Sequence, residues 1–310
     1  MKKVILASPR GFCAGVERAI EIVEKAIELY GPPVYVKNEI VHNKYVVEAL
    51  KEKGAIFVGS IDEIPTGSIT IFSAHGVSQK VEDDSALKDL KTIDATCPLV
   101  KKVHFEAIRN ERDGRQVILI GHAGHPEVEG TAGRLKDEVL LVSTVDDVSN
   151  LEVIDPSNLA YVTQTTLSVD DTIEIINLLK EKFPLISGPD TKDICYATQN
   201  RQNAVKKLAA FVDLIFVIGS KKSSNSNRLR DIAEESGVQA FLIDSEQDIN
   251  LEILAAAERI GITAGASAPE ILVQNVINFI ADKFDAAIES LDGPIENIQF
   301  KLPSSLKVVG

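Results

Sequence analysis

Apolar residues follow two rhythms that alternate along this chain. Short runs dense in Val, Ile, Leu and Phe read as strands over 4–7, 34–36, 55–58, 68–73 and 117–120, and again in LIFVIG and in the runs that end in VTQTT and TAGAS. Between them, apolar positions three and four apart predict amphipathic helices. Val16, Ala19, Ile20, Val23 and Ile27 line one face of 14–29, and a second helix over 44–53 stops at Gly54. The charged stretch 81–90 reads as a helix with a solvated outer face. Strand and helix taking turns predict parallel sheets covered by helices, which is the α/β class.

The pattern also repeats. From Cys97 the chain runs through a helix to VILIG, ending at Gly121, and then to His125; from Cys195 it runs through a helix to LIFVIG, ending at Gly219, and then to Ser223. In both units the glycine lies 24 residues and the polar residue 28 residues after the cysteine, and His42 follows Cys13 by 29. Each unit has a later strand with a polar end: His75 in SAHG, Gln164 to Thr166 in VTQTT, Ser267 in TAGAS. Three copies of one α/β unit are the simplest explanation. The expected division is 1–13 as an N-terminal strand with the first cysteine, then repeats over 14–96, 97–193 and 194–281, then a closing segment, 282–310, returning to the core.

Composition narrows the function. A hydrophobic fraction of 45% with 25% charged residues supports packed cores, and the net charge of −13 argues against nucleic acid as a partner. Three widely separated cysteines with no C-x-x-C pair do not make a disulfide framework or a thioredoxin-type site, so a reducing, cytoplasmic setting is expected. The apolar run near the start ends before Pro9, too short for a signal peptide or a membrane span.

The densest chemistry lies between Asp94 and Gly130. Cys97 sits between an apolar run and a helix, and the strand 117–120 runs into GHAGHPE; the two ends share a crevice if their strands are parallel neighbours. Three equivalently placed thiols suit zinc or an iron–sulfur cluster, in which one iron would lack a protein thiolate. His42, His75 and His125 all follow strands at the rim where ligands bind, whereas His104 and His122 read as supporting residues. Glu127 is either a helix-starting acid or, beside a metal-bound oxygen, a proton donor. GSKKSSNSNRL and TAGASAPE offer hydroxyl, amide and backbone N–H donors for phosphate. Without a P-loop or a G-x-G-x-x-G fingerprint, a small diphosphate fits better than a nucleotide. A zinc-dependent hydrolase or transferase on such a diphosphate is the alternative, and a non-catalytic iron–sulfur sensor a weaker one.

The motifs PRGFCAGVERA, VHNKYVVEAL, FSAHGVS, DATCPLVKKVH, IGHAGHPEVEGT, TQTTLSVDDT, DICYATQNRQ, GSKKSSNSNRL and TAGASAPEILVQNVI, spread over nearly the whole chain, resemble the 4-hydroxy-3-methylbut-2-enyl diphosphate reductase (LytB/IspH) family. ENIQFKLPSSL is similar to its closing segment. The resemblance implies a trefoil of three α/β domains around one [4Fe–4S] cluster held by Cys13, Cys97 and Cys195. It implies substrate binding by His42, His75, His125, Ser223, Ser224, Asn225 and Ser267, Glu127 as proton donor, and Thr165 and Thr166 near the substrate hydroxyl. The implied reaction is reductive removal of that hydroxyl, giving isopentenyl and dimethylallyl diphosphates, with electrons from ferredoxin or flavodoxin.

Overall fold

A computed structural model of the chain describes residues 1–306, so positions 307–310 of the expected closing segment lie outside the described residues. In chain order the elements are β1 (Lys2–Leu6), α1 (Ala14–Tyr30), β2 (Val34–Lys37), α2 (Lys44–Glu52), β3 (Ala55–Val58), β4 (Ile69–Phe72), α3 (Gln79–Leu87) and β5 (Lys91–Asp94). There follow α4 (Pro98–Arg112), β6 (Gln116–Ile120), α5 (Pro126–Ala132), β7 (Leu140–Val142), α6 (Val145–Asn150), β8 (Leu159–Thr163) and α7 (Val169–Lys182). The last group is α8 (Tyr196–Ala209), β9 (Leu214–Ile218), α9 (Ser224–Glu235), β10 (Gln239–Ile243), α10 (Leu251–Ala256), β11 (Arg259–Ala264), α11 (Glu270–Lys283) and β12 (Ala286–Ser290).

The chain forms two compact units. One comprises Met1–Glu17, His42–Glu48 and Tyr196–Gln299 and holds a five-stranded sheet in the order β10-β9-β11-β1-β12. The other comprises Arg18–Val41, Ala49–Cys195 and the chain from Phe300, and holds a four-stranded sheet, β3-β2-β4-β5, and a three-stranded sheet, β7-β6-β8. Every strand pairing in all three sheets is parallel. The α/β class and the parallel sheets read from the sequence are therefore what the fold contains.

The three sheets share one strand order. An inner strand (β2, β6 or β9) carries an edge strand on one side (β3, β7 or β10) and on the other a strand whose end returns toward a cysteine (β4, β8 or β11). The next position in the order is filled by β5 in the four-stranded sheet and by β1 in the five-stranded sheet; in the three-stranded sheet it is reduced to one parallel bridge, Ala160 to Ser187. Each of these precedes a cysteine, so the first strand of the chain completes the sheet built from its last third.

Burial explains the continuous apolar runs. All five residues of β9 are buried, with Leu214, Phe216 and Ile218 packing into one apolar cluster and Ile215 and Val217 into another on the opposite face. A strand covered on both faces loses the alternation of a half-exposed one. Helix starts follow side-chain caps: Ser168 accepts from the Asp171 N–H ahead of α7, and Ser78 from the Val81 N–H ahead of α3. The Ser78 cap starts α3 at Gln79 and the helix ends at Leu87, two residues before the start and three before the end read from charge alone. The short edge strands β7 and β12 are absent from the sequence reading, because LLV and AAIES carry too little periodicity to mark a strand.

Phe216 is 2% exposed and lies 6.2 Å, centroid to centroid, from Phe241. Phe216→Ala is expected to lower the unfolding free energy by about 3–5 kcal/mol. Chemical denaturation followed by far-ultraviolet circular dichroism reads this; a change below about 1 kcal/mol would mean that the site collapses around the smaller side chain.

Candidate functional site

The three cysteines share one mounting. The Cys13 N–H donates to the Ala266 carbonyl at 3.3 Å, that of Cys97 to Ala74 at 3.0 Å and that of Cys195 to Thr165 at 3.1 Å. Each acceptor lies two residues past the end of a strand, β11, β4 and β8 respectively. Each cysteine also stands at the start of a helix, α1, α4 or α8, where free backbone N–H groups and the helix dipole favour a thiolate. All three are half-buried and none is in a disulfide. Burial pushes the Cys13 thiol above its ordinary value, opposed by the Arg201 guanidinium and by the N–H groups of Val16 and Gly15.

This donor set fits an iron–sulfur cluster in its chemistry: three half-buried thiols on equivalent backbone supports, each at the start of a helix. Among the described residues no group of three or more His, Cys, Asp or Glu side chains forms a site for a single metal ion. The cysteines are therefore judged on their equivalent mounting.

Cys97 follows β5 and His125 follows β6, and these strands belong to different sheets of one unit, so the two are not the parallel neighbours that a shared crevice within one sheet would need. What α5 links is the end of β6 and the turn after β4, on which it is seated. The Gln79 N–H donates to the Gly133 carbonyl at 2.9 Å, Arg134 pairs with Glu82 at 2.7 Å, and a side chain at Gly133 would run into Ser78. This seating brings the His75 and His125 rings edge to face at 5.8 Å. His125 also caps α5: its Nδ1 accepts from the Glu127 N–H at 3.2 Å, which in the neutral ring leaves the proton on Nε2. His104 lies beneath the same turn, and its Cε1 would be 2.6 Å from a side-chain carbon at Gly76. Burial and the nearby Arg134 charge push His104 down to about 4, so it supports the turn as a neutral ring.

Glu127 is 2% exposed. Its carboxyl accepts from the Thr165 N–H at 2.7 Å and from the Thr165 hydroxyl at 2.9 Å, tying α5 to the end of β8. Burial pushes the carboxyl up to about 7 despite those two bonds, so near neutrality Glu127 exchanges a proton. Gln164 sets the same loop: its Oε1 accepts from the His122 N–H at 3.0 Å and its amide donates to the Thr166 hydroxyl at 2.8 Å. Gln164 was legible only as one residue of a polar triplet, and its buried bridging role has no separate sequence signal.

The other unit gathers phosphate-type donors. Ser223 caps α9 by accepting from the Ser226 N–H at 3.2 Å, and Ser224 and Asn225 open the helix. A side chain at Gly265 would strike the Ser226 hydroxyl and come within 3.4 Å of the Asn225 amide, so the glycine lets the end of β11 approach α9. Ser267 donates to the His42 carbonyl at 3.1 Å, which ties the TAGAS loop to the start of α2. Asn225 is 4% exposed, and neither its Nδ2 nor its Oδ1 has a hydrogen-bond partner. A buried amide with both polar atoms unpaired costs about 1–3 kcal/mol per atom, and an oxygen-rich ligand that accepts from Nδ2 would relieve the donor's share.

The family model described as LytB protein matches residues 4–281. The 4-hydroxy-3-methylbut-2-enyl diphosphate reductase of Azoarcus sp. (strain BH72) is 56% identical over 305 residues, 98% of each chain. That of Pseudomonas putida (strain GB-1) is 56% identical over 310 residues, 99% of this chain and 98% of the relative. Among solved structures, the E-1-hydroxy-2-methyl-but-2-enyl-4-diphosphate reductase of Plasmodium falciparum superposes with a TM-score of 0.95 at 41% identity, covering 98% of this chain and 96% of that one. A second, an (E)-4-hydroxy-3-methyl-but-2-enyl diphosphate reductase described as the terminal enzyme of the non-mevalonate pathway, gives 0.65 at 33% identity over 91% of this chain and 100% of that one.

The Glu127 carboxyl sets a pH dependence. Its value rises from 4.5 to about 7 on folding, so the stability it contributes is fully present below 4.5 and is lost as pH climbs through about 7, where the buried group must ionise. The full loss is on the order of 3 kcal/mol at about 1.4 kcal/mol per unit. Glu127→Gln removes the titration, so its melting temperature is expected to rise relative to the parent between pH 5 and pH 8. A difference between the two that stays constant with pH would place the parent carboxyl at an ordinary value.

Proposed function

Because the chain belongs to the LytB protein family, we propose that it is an iron–sulfur reductase converting 4-hydroxy-3-methylbut-2-enyl diphosphate to isopentenyl and dimethylallyl diphosphates. The observation that carries this reading is the cysteine mounting, repeated three times on equivalent strand ends. Family membership implies an iron–sulfur centre; we assign it as one [4Fe–4S] cluster with Cys13, Cys97 and Cys195 as its protein ligands. When bound, the cluster would supply electrons singly and a Lewis-acidic iron that carries no protein thiolate.

The chain's own residues supply the rest. Glu127 holds a proton near neutrality and delivers it to the departing hydroxyl, so that water leaves rather than hydroxide. Thr165 fixes the carboxyl through its N–H and its hydroxyl, and Gln164 orients the Thr166 hydroxyl toward the same substrate group. With its Nδ1 accepting from Glu127, neutral His125 offers Nε2–H to an anionic oxygen. His42, His75, Ser223, Ser224, Asn225 and Ser267 complete the substrate-binding set, most of them on the diphosphate. The balance is two electrons and two protons in, water and one C–H bond out; the second proton enters at either end of the allylic system, which accounts for two products. Ferredoxin or flavodoxin would supply the electrons, and the cytoplasm is the setting. Among the described residues no helix is long and apolar enough to cross a membrane.

Two variants test the assignment. Glu127→Gln keeps the shape and loses the proton, so turnover is expected to fall by about 10²- to 10⁴-fold with substrate affinity nearly unchanged; turnover within about threefold of the parent would move the proton source elsewhere. Asn225→Ala is expected to weaken diphosphate binding about ten- to a hundredfold, at about 1–3 kcal/mol for a charge-assisted bond, with iron content unaltered. Calorimetric titration at parental affinity would remove Asn225 from the site.

A further inference from the structure

Three cations outside this site repeat with the cysteines. Arg18, Lys102 and Arg201 lie five residues after Cys13, five after Cys97 and six after Cys195, each on the helix that its cysteine heads. Arg18 Nη1 donates to the carbonyls of Ala95 at 3.3 Å and Thr96 at 3.1 Å, the two residues before Cys97. Lys102 Nζ donates to the Lys192 carbonyl at 3.3 Å and to Asp193 Oδ1 at 3.2 Å, in the loop before Cys195. Arg201 donates through Nε and Nη2 to the Gly11 carbonyl at 2.9 and 2.7 Å and through Nη2 to that of Phe12 at 3.0 Å, the two residues before Cys13. The helix after each cysteine thus grips the loop before the next, and the third closes on the first.

Burial gives the two arginines weight. Arg18 is 8% exposed and Arg201 fully buried, a costly place for a guanidinium unless its donors are satisfied. Both are completed from the closing segment, Arg18 by the Lys301 carbonyl at 2.9 Å and Arg201 by Glu296 at 3.1 Å. Asp193, buried under Lys102, also accepts from the Thr163 N–H at 3.2 Å, so its clamp reaches β8 as well as the Cys195 loop. A buried arginine that bonds carbonyls is most often a plain structural staple. Two such arginines and a lysine at matched positions, each aimed at the residues just before a cysteine, are more than staples need.

We propose that Arg18, Lys102 and Arg201 are positioning residues for the cluster-ligating thiolates, each fixing the next cysteine's loop in a closed ring and lending positive charge that favours the reduced cluster. This rests on the assignment of the cysteines as cluster ligands. A fixed loop holds its thiolate at ligand geometry without reorganisation, and outer partners of this kind typically govern metal retention as strongly as they govern activity. The nearby charge acts on potential because reduction adds negative charge to the cluster.

The test uses anaerobically reconstituted holoenzyme and reads iron release to a chelator and the midpoint potential by redox titration with electron paramagnetic resonance. Arg201→Met and Lys102→Met are expected to release iron about tenfold faster or more and to shift the potential to more negative values. Arg201→Lys restores the charge without the guanidinium fork, so its potential is expected near the parental value while iron loss remains fast. Lys102, whose side chain is 43% exposed, keeps the test decisive should Arg201→Met fail to fold. Parental potential and parental iron retention in Lys102→Met, with only its melting temperature lowered, would reduce the ring to structural staples. Parent protein that takes up no cluster under the same reconstitution would instead overturn the cysteine assignment, and the ring with it.

Discussion

A cysteine N–H held by the carbonyl two residues past a parallel strand is the constraint on which the rest of this molecule depends. Parallel sheets direct their loops to the carboxyl ends of the strands, and the repeated bond sets each thiol at such an end beside the start of a helix. The acceptors Ala74, Thr165 and Ala266 belong to the loops that carry His75, Thr166 and Ser267, so the backbone that places the thiols also places three residues proposed to bind the substrate. One local geometry, repeated, accounts for why the chemistry is spread evenly over the chain.

Around that frame the polar groups are held at an energetic cost. Glu127 is dry enough to sit near pH 7 although two donors from Thr165 favour its anion, so desolvation outweighs two hydrogen bonds. Asn225 keeps both amide atoms unpaired under cover. Neither arrangement is explained by stability, since a protonated or apolar side chain at either place would serve the fold better. Both fit the proposed substrate, whose departing hydroxyl would take the Glu127 proton and whose anionic oxygens would accept from Asn225 Nδ2.

Much of this is legible in the sequence, and for physical reasons. Strands buried on both faces, such as β9, leave unbroken apolar runs, and the 24-residue step from Cys97 to Gly121 and from Cys195 to Gly219 marks equivalent inner strands. The candidate site residues stood out because polar groups that follow such runs fall at the ligand rim. What escaped was non-local. That β1 completes the sheet of the last third, that β5 and β6 part into different sheets, and that α5 brings His75 and His125 together all depend on pairings which periodicity does not encode. The cation ring escaped for the same reason: Arg18, Lys102 and Arg201 look like ordinary helix-surface charges until the partner loops, 77, 90 and 190 residues away, are known.

The central claim is that Cys13, Cys97 and Cys195 hold one cluster on which the allylic diphosphate is reduced. The most direct measurement is Mössbauer spectroscopy of protein reconstituted anaerobically with ⁵⁷Fe, recorded with and without 4-hydroxy-3-methylbut-2-enyl diphosphate. The account predicts a four-iron spectrum in which one iron differs from the other three and alone changes when the diphosphate is added. Four irons that all ignore the substrate, or iron-free protein that turns it over, would contradict it.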